Sequence, residues 1–82
     1  MLVLCTAACQ RSPQEKAAKF LRDGKDLMSR KDYARAVLQF RNAVRLLPKD
    51  AEVEYQLGLA YLADGKLAEG VAAITKSNHS QP

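Results

Sequence analysis

Thiols and imidazoles are the groups that most readily ligate a metal or attack an electrophile, and this 82-residue chain offers Cys5, Cys9 and His79. Cys5 and Cys9 lie four residues apart with no His nearby, which makes a poor metal site, since a closed zinc site needs four ligands at paired spacing. His79 lies in the polar run Lys76-Ser77-Asn78-His79-Ser80-Gln81, without a positioned partner to make it a base or a ligand. Asp23 and Asp26 are three apart and flanked by Arg22, Lys25 and Arg30, so ion pairing along a helix explains them better than acid–base catalysis does. There is no Gly-rich phosphate loop, no paired-Cys zinc spacing and no Ser/His/Asp set. We therefore expect no enzyme, no catalytic residue, no cofactor and no metal.

Charge narrows the partners. The net charge of +4 is unevenly spread: residues 11–49 hold eleven Lys/Arg and four Asp/Glu, and residues 50–82 hold two and five. Arg41 and Arg45 are four apart and share a helix face, with Arg35 further back, so an anionic ligand would favour the first half. Nucleic acid is not expected, because the basic residues are not interleaved with exposed aromatics and no nucleic-acid motif is present.

The elements that carry these residues read as helices. Ser12-Pro13-Gln14-Glu15 is a capping box with Pro at the first helical position. Ala17, Phe20, Leu21, Gly24, Leu27 and Met28 then recur at helical spacing, which predicts a helix over about 13–30. Asp32 caps a second, in which Tyr33, Ala36, Val37, Phe40, Val44 and Leu47 line one face until Pro48 stops it. Asp50 caps a third over about 51–64, and Asp64-Gly65-Lys66 is a tight turn. The fourth starts near Leu67 and loses its apolar face after Ile74, so its last turns are expected to fray. No segment alternates, so no strand is expected, and 82 residues allow one domain whose core is marginal.

Five residues return at one interval of 34: Ala17/Ala51, Gly24/Gly58, Ala34/Ala68, Val37/Val71 and Pro48/Pro82. A fixed period of this size marks stacked repeats, which present a surface to a partner. The first unit reads Phe20-x-x-Asp23-Gly24-x-x-Leu27, Ala36-x-x-x-Phe40, Pro48. The second reads Glu54-x-x-Leu57-Gly58-x-x-Tyr61, Gly70-x-x-x-Ile74, Pro82. Over residues 17–82 this resembles the tetratricopeptide repeat, with its 34-residue W-x2-L-G-x2-Y…A-x3-F…P pattern. Asp23 departs from the pattern's Leu, Glu54 from its aromatic, and Gly70 from its Ala, the last at roughly 1 kcal/mol of helix propensity. The resemblance implies an all-α fold of two tandem helix-turn-helix units, four antiparallel helices. They span 13–50 and 51–82, the second with a frayed polar end, after a leading segment 1–12. Gly24, Ala34, Ala36, Gly58, Ala68 and Gly70 are expected to let paired helices approach. Phe20, Leu27, Tyr33, Phe40, Leu57, Tyr61 and Ile74 are expected to fill the space between. If Gly70 has spare room, Gly70→Ala is neutral or stabilising.

The resemblance also implies a concave groove. Its lining, carried over by position, is Ala18, Leu21, Lys25 and Met28 with Glu52, Tyr55, Leu59 and Leu62. Leu21 stands where the carboxylate clamp of chaperone-binding members has Lys, and Lys25 and Gln56 stand where it has Asn, so chaperone tails are disfavoured. The groove suits an apolar helix or extended peptide, or a second copy of the chain.

Met1 to Ala8 is apolar and uncharged, far short of the about 20 residues that span a bilayer. Thr6-Ala7-Ala8-Cys9 resembles a bacterial lipobox, which implies lipidation at Cys9, a membrane anchor by lipid only, and a signal peptide that starts upstream. Gln10, not Asp, follows the Cys, which by the sorting rule of such lipoproteins implies the outer membrane. The expected function is a non-enzymatic protein-interaction scaffold at a bacterial envelope, facing the periplasm and assisting assembly of a larger complex. The alternatives are an anionic-ligand binder working through the basic half, a piece of a longer repeat array, and a cytoplasmic location.

Overall fold

A computed structural model describes residues 12–80. Four helices run through them: α1 Pro13–Ser29, α2 Tyr33–Leu46, α3 Ala51–Ala63 and α4 Leu67–Ser80. Among the described residues there is no strand. The starts follow from the caps. Ser12 Oγ accepts from the Glu15 amide at 3.1 Å, while the Ser12 amide donates to Glu15 Oε1 at 3.2 Å. Asp32 accepts from the Arg35 amide at 3.4 Å. Asp50 Oδ1 accepts from the Glu52 and Val53 amides at 3.0 and 3.3 Å. Each carboxylate or hydroxyl satisfies amides that the first turn leaves without an intrahelical partner.

Both hairpins close through the same turn. After α1 the Lys31 amide donates to Met28 O at 3.0 Å and the Asp32 amide to Leu27 O at 2.9 Å. After α3 the Gly65 amide donates to Leu62 O at 3.1 Å and the Lys66 amide to Tyr61 O at 2.8 Å. This is a Schellman closure, which places its linking residue in the left-handed region. Lys31 has φ 63° and Gly65 has φ 83°. Glycine takes that conformation freely, whereas Lys31 carries a Cβ and costs about 1 kcal/mol more.

Consecutive helices pack on one another, α1 on α2, α2 on α3 and α3 on α4. Ala36, Val37 and Phe40 of α2 meet Leu57 and Ala60 of α3, with Leu21, Leu27, Met28, Val44 and Tyr61 packed around them. Ala17, Ala43 and Val53 form a second buried cluster, edged by Phe20, Leu46 and Leu47. The core thus lies in α1, α2 and α3. What α4 buries is Gly70 and Ser77.

Three observations add to or differ from the expectations. First, α4, whose last turns are expected to fray, is helical to Ser80. Polar contacts replace the missing apolar face: Lys76 Nζ lies 3.1 Å from Glu54 Oε2, and Ser77 Oγ donates to Ala51 O at 3.1 Å. Glu54 is buried at 2% exposure although it stands where the repeat pattern has an aromatic. Secondly, of the six small residues expected to close the hairpins, Ala34 and Ala68 are exposed, and Gly24, Ala36, Gly58 and Gly70 are buried. Thirdly, Gly70 has no spare room. A methyl group there would lie 2.6 Å from Leu62 Cδ2 and 3.1 Å from Gly58 O.

Candidate functional site

The residues expected to line the groove sit on α1 and α3, and the structure sorts them into three kinds. Leu21 and Met28 are half-buried and pack on the core, so they form the floor. Leu62 is half-buried with its side chain against Gly70, which ties it to the α3–α4 contact; Leu59 is half-buried too. Lys25 and Glu52 are exposed and face each other from α1 and α3 with Nζ and Oε2 3.9 Å apart. Glu52 Oε2 also accepts from Gln56 Nε2 at 2.9 Å. An exposed pair at that distance contributes little to stability, but it leaves the rim with balanced charge.

Tyr55 differs from these. It is 42% exposed, a large share for an aromatic ring. It borders a cleft of about 270 Å³ together with Ala51, Glu52, Ser77 and Asn78. A tyrosine there offers an apolar ring and a hydroxyl to an incoming chain. Sequence reasoning placed Tyr55 and Glu52 but missed Ser77 and Asn78, because the tail of α4 was expected to fray. The signal was present: Ser77 stands 34 residues after the buried Ala43. Ala18 is exposed and borders a shallow cleft of about 240 Å³ with Glu15, Lys19 and Arg22, away from Tyr55.

The basic residues gather elsewhere. Arg41 and Arg45 line a cleft of about 270 Å³ with Val44, Leu57 and Tyr61, at the seam of α2 and α3. Helical geometry puts Leu57 and Tyr61 on the opposite side of α3 from Tyr55 and Leu59. Among the described residues neither arginine forms an ion pair, whereas Arg35 is held by Asp32 at 3.5 Å.

Among the described residues no group of His, Cys, Asp and Glu is placed to hold a metal ion, and no helix is long and apolar enough to cross a membrane. Cys5 and Cys9 lie outside the described residues.

A family model of the TPR repeat matches residues 24–65, from the middle of α1 through α2 and α3 to the turn before α4. No curated protein and no solved structure matches the chain. The matched span covers half of the sequence and contains Gly24 and Gly58, each of which meets the side chain found 16 positions later, Phe40 and Ile74. By that match and that register, the chain belongs to the tetratricopeptide-repeat family.

Proposed function

We propose that this chain is a non-enzymatic scaffold that holds a peptide segment of a partner protein in the α1–α3 groove. Repeats of this family generally serve protein–protein interaction, and stacked helix pairs present their side chains as an extended surface. The observation that carries the reading is Tyr55, 42% exposed on α3 beside a cleft that α3 and α4 line, with Glu52 of that cleft 3.9 Å from Lys25 of α1. An exposed aromatic side chain beside a cleft is a usual energetic anchor of such a contact. The partner chemistry that fits is an apolar helix or extended peptide with few charges.

The same proposal places the scaffold at a bacterial envelope, anchored through a lipid on Cys9 and facing the periplasm, where it assists assembly of a larger complex. The support is the run Thr6-Ala7-Ala8-Cys9. Two experiments test the two halves separately. Tyr55→Ser is expected to abolish capture of the partner from envelope extracts while far-UV circular dichroism stays unchanged; retained capture refutes the groove. Mass spectrometry of envelope-derived protein is expected to show a lipid mass on Cys9, and Cys9→Ser is expected to release the chain from the membrane fraction. An unmodified Cys9 refutes the anchor and leaves the groove standing.

One observation favours a second reading. Arg41 and Arg45, without an ion pair among the described residues and beside Tyr61, suit an anionic ligand. Ionic strength separates the two: binding through the arginines weakens steeply with salt, and binding on Tyr55 does not.

A further inference from the structure

Charges along a helix are commonly balanced one turn away, and α1 follows this rule with Lys19 on Asp23 and Arg30 on Asp26. On α2 the balance is missing: the helix carries Arg35, Arg41 and Arg45 and no Asp or Glu. Arg35 is held by the cap residue Asp32. All nine carboxylate side chains of the sequence lie among the described residues, and none of them pairs with Arg41 or Arg45. The counter-charge for these two exposed arginines is therefore not a side chain of this chain.

The two arginines stand at the mouth of a cleft with an apolar wall, made by Val44 of α2 and by Leu57 and Tyr61 of α3. Leu57 belongs to the buried core, and Val44 and Tyr61 are half-buried against it, so the wall is fixed by the packing behind it. Leu38, 54% exposed, precedes Arg41 by one turn on the same side of α2. Being four residues apart, Arg41 and Arg45 are separated by about 6 Å along the helix axis, close enough for both to reach one carboxylate.

Resting on the anionic-ligand reading above, we infer that this seam is a second binding site, for an acidic peptide segment. Its carboxylate lies between Arg41 and Arg45, and a neighbouring apolar side chain enters the cleft on Val44, Leu57 and Tyr61. Charge complementarity selects an anion. Guanidinium forks hold carboxylate and phosphate alike, so the apolar wall decides between them. A bare phosphate, or the headgroup plane of an anionic membrane, would meet the two charges and leave the wall and Leu38 in water. Nucleic acid would need rings on which its bases stack, and Tyr61, the aromatic of the cleft, is half-buried. A peptide covers charge and wall together, because an acidic and an apolar side chain leave the same backbone at adjacent residues. The apolar contact also excludes water from the ion pair, which strengthens an attraction that is weak when fully exposed. Tyr55 lies on the other side of α3, so the two sites are separate.

Nuclear magnetic resonance of the full chain under reducing conditions, observing arginine Nε–H groups and Val and Leu methyls, tests this. The probe is N-acetyl-Leu-Glu-amide, titrated to ~10 mM. It is expected to bind with a Kd of about 1 mM, shifting the Arg41 and Arg45 Nε–H groups and the Val44 and Leu57 methyls together. Gln for Glu in the probe, or Ser for Leu, is expected to weaken binding about tenfold, and added salt to weaken it further. The double variant Arg41→Gln, Arg45→Gln is expected to lose both sets of shifts with helix content unchanged, whereas Tyr55→Ser keeps them. Equal binding of the Gln or the Ser probe overturns the inference, as does binding that survives in the double variant or disappears in Tyr55→Ser. Inorganic phosphate and phosphatidylserine–phosphatidylcholine vesicles are the rival probes. If either moves the two Nε–H groups while the Leu-Glu probe does not, the inference falls and the anionic-ligand reading stands. If no probe moves them, both fall.

Discussion

In the first hairpin a phenyl ring lies against a glycine, and in the second an isoleucine does so at the same register. A methyl group on Gly24 would lie 2.5 Å from Phe40 Cε1, and one on Gly58 would lie 2.5 Å from Ile74 Cγ1. From there the hairpins part. The first surrounds its contact with buried apolar groups, Ala17, Ala36, Val37 and Ala43, and shares them with α3. The second replaces Phe20 by Glu54, Ala36 by Gly70 and Ala43 by Ser77. Its last helix is held by close backbone approach at Gly58 and Gly70, by Lys76 on Glu54, and by Ser77 on Ala51 O. One repeat geometry is thus secured in two ways, by apolar filling and by short backbone distance with polar contacts.

The largest effect is expected at the apolar contact. Phe40 is fully buried, so Phe40→Ala should cost about 3–5 kcal/mol. Ile74 is only half-buried, and Ile74→Ala should cost about 2 kcal/mol. Urea unfolding of both variants checks the order; equal losses would erase the difference between the hairpins.

Next come the glycines. Gly24→Ala drives a methyl into a ring that is enclosed on all sides and should cost about 2–3 kcal/mol. Gly70→Ala meets Leu62, which is half-exposed and can turn aside, and also Gly58 O at 3.1 Å; the cost should be about 1–2 kcal/mol, net of the better helix propensity of Ala. A Gly70→Ala variant more stable than wild type would contradict the close approach.

The polar contact is worth less. Lys76→Ala removes the ammonium group 3.1 Å from the buried Glu54 carboxylate. Because Lys76 itself is 65% exposed, the loss should be about 1–2 kcal/mol. The change should act on α4 first, visible as faster amide exchange there than in α2. The smallest effect is a gain: Lys31→Gly should stabilise by up to about 1 kcal/mol, making the first turn equivalent to the one at Gly65. Thermal unfolding midpoints read it directly.

The fold was legible in the sequence wherever a residue type has one strong structural use. Ser12, Asp32 and Asp50 are hydrogen-bonding caps, Pro48 ends a helix, and the Gly24/Gly58 register marks the closest approach of paired helices. These fixed helix starts and hairpin order. What stayed hidden depends on tertiary partners. Lys76 and Ser77 read as a polar tail because their partners, Glu54 and Ala51 O, lie on another helix and leave no local periodicity. Lys31 gave no sign of its left-handed backbone, because a lysine there is tolerated only where the Schellman bonds compensate. For the groove, spacing brought Lys25, Glu52 and Tyr55 to one region. It did not separate the exposed Tyr55 from Leu62, whose side chain serves α4.

The contrast between the hairpins is tested most directly by native-state hydrogen exchange on the wild-type chain. The amides of α4 are expected to exchange through a partial opening of lower free energy and weak denaturant dependence, while those of α2 around Phe40 and Ala43 exchange only on global unfolding. If the α4 and α2 amides share one exchange free energy and one denaturant dependence, the two hairpins are equally secured and the account is wrong.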